Sequence, residues 1–323
     1  MDFQLTADQR DLKAGVRELL AARFDREALR AAVDAAEAGK PVVDRALWRE
    51  LGAAGFFALR VPEADGGLGL GLPEVVLVFE EAGRALLPGP LVATELAAAT
   101  GAHPEAGEGL AVIAAEDLPG HTAFLGEADG LLGAAPGAAP GTGAAVRSVD
   151  PLTPLWAVPT AGDGAGGGAG FEDSPVGRRA LEGALLTAAL QLGGALRTCE
   201  LAVRYAKERE QFGQPVGGFQ AVKHLCADML ARAEVARAAV YAAAVTGVRT
   251  EVVGAKLLAD GAAVRNARDC LQVHGGMGFT WEADVHLHLK RAWVRAGQWC
   301  TAARAEELLA ADLLAGGSPG TGA

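Results

Sequence analysis

The chain has 323 residues, half of them hydrophobic, with a formal charge of −11 and four cysteines. That length and apolar content suit two or three domains around a large core and exclude a disordered chain. The acidic balance excludes a nucleic-acid surface, which needs clustered Lys and Arg.

Cys199, Cys226, Cys270 and Cys300 are far apart and form no C-x-x-C pair. All four fall in stretches that read as helical, so buried thiols in a reducing compartment are expected. The opening MDFQLTADQR carries neither a basic n-region nor an apolar h-region, and no run of about 18 apolar residues exists; a cytoplasmic protein with no membrane span is expected. His286 and His288, two apart on a helix, do not share a face, and no H-E-x-x-H or Cys/His quartet occurs, so no metal is expected.

Thr6 to Gln9 reads as a capping box opening a helix with Leu12, Val16, Leu19, Leu20 and Phe24 on one stripe. A second helix follows Asp44, buries Leu47, Trp48 and Leu51, and stops at Gly52. Residues 62–73 are too glycine-rich for an element. Pro73 then suits the first turn of a third helix, which ends near Leu86 before a Pro-Gly-Pro run. Residues 1–100 thus read as a helical amino-terminal domain. Residues 101–176 read as a small, shortened β domain, with short strands at 110–115, 122–125, 145–149 and 155–158 between Ala/Gly/Pro tracts. The glycines of 164–170 are no dinucleotide fingerprint, because no strand precedes them. Residues 177–315 alternate apolar positions in steps of three and four over long helices, the pattern of an up-and-down four-helix bundle. Residues 316–323 form a frayed tail.

Two breaks interrupt the bundle. The first carries Arg209, Gln211 and Phe212, then Gly213, Pro215, Val216, Gly217 and Gly218, then Phe219 and Gln220. Gly and Pro turn the chain; an Arg, an amide and aromatics on such a turn make a surface for an anion and a ring. The second, Gln272 to Phe279, offers Gly275, Gly276 and Gly278, whose N–H groups can approach a phosphate or ribose. Each break can equally be a plain connection between helices. Glu282 after the second is a helix-start carboxylate.

RYAKEREQFGQPVGGFQAVKHLCADM resembles the R-x-x-F-G-x-x-x-x-x-F-Q segment of the acyl-CoA dehydrogenase family. QVHGGMGF resembles its Q-x-x-G-G-x-G-F segment. FQLTADQRDLKAGVRELL, VPEADGGLGLG and FEEAGRALLPGP resemble its helical amino-terminal domain. The resemblance implies FAD as cofactor, an acyl-CoA thioester as substrate and an electron-transfer flavoprotein as electron acceptor. It also implies flavin sites shared across a subunit interface. Carried over residue by residue, Arg209, Gln211, Phe212, Val216, Phe219, Gln272, Gly275 and Gly276 would serve the flavin of a neighbouring subunit. In the family reaction a Glu removes the α-proton while a hydride leaves the β-carbon for the flavin.

Two departures stand out. Residues 101–176 contain neither the T-E-P-G-x-G-S-D-like nor the W-I-[ST]-N-like segment that cradles the isoalloxazine in the family. Trp299 stands where the usual catalytic Glu belongs. Some members place the base on the first helix of the bundle, where Glu182 lies one residue from the matching position, Gly183. Ala184, Ala188 and Ala189 would leave room there for a bulky acyl chain. The expectation is a helper subunit of a hetero-oligomeric acyl-CoA dehydrogenase. The alternatives are a self-sufficient homo-oligomer using Glu182, and a flavin-free scaffold.

Overall fold

The computed structural model of the chain describes residues 4–114, 117–133, 141–158, 171 and 174–316. The fold is mainly α: a helical amino-terminal part, a small set of short strands, and a bundle of long helices. Helix α1 (Ala7–Arg23) opens with the expected capping box, Thr6 Oγ1 accepting from Gln9 N and the Gln9 side chain accepting from Thr6 N. Helix α3 (Arg45–Ala53) is capped by Asp44, which accepts from the N–H groups of Ala46 and Leu47.

Two helices were invisible to periodicity. Helix α2 (Arg26–Glu37) buries only Leu29 and Val33 among alanines and charges, a thin apolar signal. Helix α5 (Leu91–Ala99) is buried from Leu91 to Ala98, Thr94 and Glu95 included, so no polar face alternates with an apolar one.

Helix α4 (Leu72–Ala85) crosses α6 (Pro175–Glu208) at two glycines. A Cβ on Gly83 would lie 2.1 Å from the Leu190 carbonyl oxygen, and one on Gly193 would lie 1.9 Å from that of Glu80. Backbone therefore touches backbone at the crossing. Glu80 and Glu81 of α4 are almost fully buried there. Lys13 and the Tyr241 hydroxyl donate to Glu80 at 2.6 and 2.7 Å, while Arg17 grips Glu81 through two bonds and Arg84 lies 3.2 Å from it. Unpaired, each carboxylate would cost several kcal/mol, on the order of 3–5 for a broken buried pair.

The strand region is sparse: β1 (Val112–Ile113) pairs in parallel with β3 (Gly130–Leu131), and β5 (Leu155–Ala157) lies between β2 (His121–Ala123) and β4 (Ala144–Val146), antiparallel to both. The expected tract at 161–170 lies outside the described residues, as does most of 133–145. Arg291 staples this region to the rest. Its guanidinium donates to the Asp150 carboxylate and to the Leu87 and Leu152 carbonyls, and all of these groups are buried.

Ser174 caps α6, and Pro175 occupies its first turn. Helices α7 (Gln220–Thr246), α8 (Arg249–His274) and α9 (Val285–Gly297) complete the bundle, with α10 (Ala302–Gly316) against α8. Cys199, Cys226 and Cys270 are free thiols on α6, α7 and α8 around Met229, Leu271 and Leu289. Burial pushes Cys270 up to about 12 and Cys199 up to about 11. Cys300 lies between α9 and α10 rather than in a helix, a correction forced by the turn at Trp299. Ala184, Ala188 and Ala189 are fully buried in the main core, where their small size lets helices come together instead of leaving room.

His286 and His288 are both buried on α9. Burial and the nearby Arg197, Arg291 and Arg295 push His288 from its ordinary 6.5 down to about 3. The unfolded chain takes up this proton below about pH 6.5 while the fold resists it, so stability falls as pH drops through that window.

Two outcomes are expected. Gly193→Ala inserts a methyl where none fits, and urea unfolding should show a loss of about 1–3 kcal/mol. His288→Gln should flatten the decline of unfolding free energy between pH 6.5 and 5; an unchanged slope would contradict the buried neutral imidazole.

Candidate functional site

The first break is a β-hairpin. Arg209 caps the end of α6; β6 (Glu210–Gln211) and β7 (Gln214–Pro215) pair around the two-residue loop Phe212–Gly213. Both loop residues have positive φ, 55° and 79°, the signature of the type I′ turn that matches strand twist. The first loop position favours Asn or Asp; a Phe held there is strained by about 1–2 kcal/mol. Phe212 is nonetheless 90% exposed, its ring edge-on to Phe219 at a centroid distance of 6.0 Å. The hairpin folds back on α6, Val216 N donating to the Arg209 carbonyl at 2.8 Å.

Arg209 and Gln211 are exposed, Val216 and Phe219 half-buried. Among the described residues the Arg209 guanidinium has no carboxylate partner. Gln272, Gly275 and Gly276 are exposed as well, at the end of α8. Gly275 needs its glycine for φ +59°, whereas a Cβ on Gly276 would meet only open space. The two breaks share one end of the bundle. Tyr205, in the last turn of α6, stacks on His274 at 4.1 Å, and its hydroxyl donates to the His274 carbonyl at 3.4 Å. This stack escaped sequence reasoning. The signal was two ring residues, each in the last turn before a break.

The second locus is closed. Trp299 has φ 61° and is 5% exposed; its N–H donates to the Asp117 carbonyl at 2.6 Å, and the Gln298 amide donates to the Asp117 carboxylate at 3.0 Å. Its indole lies on Gly183, where an added Cβ would sit 2.4 Å from the ring. Trp299 and Gly183, the two positions that the family resemblance offers for a base, thus pack against each other. The cavity left beside Trp299 and Gln298 measures about 40 Å³, and Arg291 and Arg295 contribute to its wall. That volume holds a water or two.

Glu182 points elsewhere, since one residue along a helix turns a side chain by about 100°. Its carboxylate accepts from Arg60 at 2.8 Å, and Arg60 also makes a two-bond pair with the fully buried Glu95 at 2.7 and 2.9 Å. Burial pushes the Glu95 carboxyl up, against the pull of Arg60, and the two carboxylates hold the guanidinium firmly protonated. Glu282 is fully exposed, its carboxyl lowered by hydrogen bonds from its own N–H and from Thr280. Among the described residues no His/Cys/Asp/Glu group could hold a metal ion, and no helix is long and apolar enough to cross a membrane.

The acyl-CoA dehydrogenase N-terminal domain matches residues 6–104, and the acyl-CoA dehydrogenase C-terminal domain matches residues 176–298. The chain belongs to the acyl-CoA dehydrogenase family. That family comprises FAD oxidoreductases. The acyl-CoA dehydrogenase IpdE2 of Mycobacterium tuberculosis is 36% identical over 300 residues, covering 86% of this chain and 89% of that protein. Acyl-CoA dehydrogenase FadE34 of the same organism is 35% identical over 79% of this chain, which spans only 40% of that longer protein. A chain of the ChsE4-ChsE5 complex from M. tuberculosis superposes with a TM-score of 0.80 at 25% identity, covering 99% of this chain and all of that one.

Removing Arg60 should expose how Glu182 and Glu95 depend on it. Arg60→Met leaves a buried carboxylate unpaired, and thermal or urea unfolding should report a loss of about 3–5 kcal/mol. A neutral outcome would mean that the buried Glu95 does not depend on Arg60 for its charge.

Proposed function

We propose that this chain is a subunit of an acyl-CoA dehydrogenase that completes the flavin site of a partner subunit and holds no flavin ring of its own. The observation that carries this reading is Phe212, almost fully exposed on a strained turn beside an unpaired Arg209. Among the described residues only the edge-on Phe219 ring is recorded against it; a nucleotide laid across the corner would account for a ring in that position. In this reading the Arg209 guanidinium neutralises a diphosphate, Phe212 and Phe219 give the adenosine half an apolar face, and Gln211 and Gln272 offer amides at its edge. Val216 is tied to Phe219 through the backbone, the Phe219 N–H donating to the Val216 carbonyl at 3.1 Å. Gly275 and Gly276 let backbone approach a phosphate or ribose without a side chain in the way.

The chain's own centre does not fit the ring system. Trp299 on Gly183 fills the place of the base, and about 40 Å³ remains. When bound, FAD supplies the hydride acceptor for α,β-dehydrogenation of an acyl-CoA thioester. The α-proton is taken by a carboxylate of the partner, a positioned base being worth roughly 10²–10⁴-fold. A hetero-oligomer also accords with the structural likeness to a chain of the ChsE4-ChsE5 complex. The self-sufficient alternative would have to free Glu182 from Arg60, and the 2.8 Å ion pair weighs against it.

The test is the visible absorption spectrum of the chain purified alone and co-purified with a homologous dehydrogenase subunit. The chain alone should be colourless and the complex yellow; a yellow, active homo-oligomer would end this reading. In the complex, Arg209→Ala should lower FAD affinity about tenfold or more, as expected for lost charge-assisted hydrogen bonds. Phe212→Ala should lower it too. Neither change should shift the unfolding free energy of the chain alone downward by more than about 0.5 kcal/mol.

A further inference from the structure

Between α1, α2, the end of α4, α6 and the start of α9 lies a groove of about 440 Å³, within the size range of small-molecule sites. None of the flavin-corner residues lines it. Its floor is apolar, with Leu20, Phe24, Leu86 and Leu201. Its rim carries five guanidinium groups against three carboxylates.

Those carboxylates are already engaged. Asp25 caps α2 by accepting from Ala28 N, Glu81 holds Arg17 and Arg84, and Asp284 holds Arg26. Glu200, just outside, lies 2.7 Å from Arg84 and 3.5 Å from Arg197. Arg204 forms no ion pair among the described residues. Arg197 is therefore left beside Arg84 and Arg204 with half a counter-ion, and burial and the two like charges lower its pKa.

His288 closes the back of the groove. It is 6% exposed, it lines the groove, and its Nδ1 has no hydrogen-bond partner. That nitrogen has no exposed surface of its own, so the ring sits against the groove as a buried neighbour that a bound charge would perturb.

We propose that this groove binds an amphiphilic anion, an aliphatic body on the Leu20–Phe24–Leu86–Leu201 floor and a carboxylate-type head between Arg197 and Arg204. Planar guanidinium groups suit such an oxyanion, and the buried His288 ring lies beside the head. The site is separate from the flavin corner, and its occupancy does not depend on the reading of that corner.

The experiment is calorimetric titration of the full-length chain with three probes, with the His288 ring resonances followed by NMR. Decanoate has both body and charge, 1-decanol only the body and inorganic phosphate only the charge. Decanoate should bind once per chain and shift the His288 signals, with each of the other two binding about tenfold more weakly or worse. Arg204→Gln, at an exposed position, should weaken decanoate several-fold with an unchanged melting temperature, and Arg197→Gln with Arg204→Gln should abolish it. Equal binding of decanoate and decanol, a silent His288, or indifference to Arg204→Gln would each overturn the proposal.

Discussion

Everything in this molecule hangs on the contact between α4 and α6, where two glycines let backbone meet backbone. The approach is too close for any side chain, so it fixes the spacing and angle of the amino-terminal helices against the bundle. It also carries the Glu80–Glu81 pair into the interior, where Lys13 and Arg17 of α1, Arg84 of α4 and Tyr241 of α7 must converge to neutralise it. Apolar burial supplies most of the driving force. The buried charges add direction, because only one arrangement of four helices satisfies them.

That rigid block sets up a contrast between a filled centre and a bare corner. At the centre, Trp299 and Gly183 fit together as bulk and hollow, and Glu182 is held by Arg60 one helical face away. At the corner, the same helix α6 ends in a hairpin whose tip is a Phe in an unfavourable conformation with nothing over it. Phe212 and Phe279, one at each glycine break, are among the most exposed large apolar side chains of the described residues.

Much of this was legible in the chain. The capping residues of α1 and α3, the long helices of the bundle and the two breaks followed from local chemistry, because each rests on neighbours a few residues apart. The reading of Trp299 in place of the usual Glu rests on the family resemblance alone, and the structure adds where its ring packs. What periodicity could not reveal were α2 and α5, one too rich in alanine and the other buried all round. Nor could it show that Trp299 reaches across to Gly183, that Arg60 captures Glu182, or that Tyr205 stacks on His274. Those pairs lie far apart in sequence, and only the assembled bundle brings them together.

The Phe212–Gly213 turn has a thermodynamic corollary. A chain that keeps conformational strain and bare aromatic surface at one tip is least stable when solitary and gains most from being covered. Mass action then ties its lifetime to the supply of whatever covers that tip. In a hetero-oligomer of the proposed kind the tip would then report stoichiometry, an orphaned copy being left with its ring standing in water.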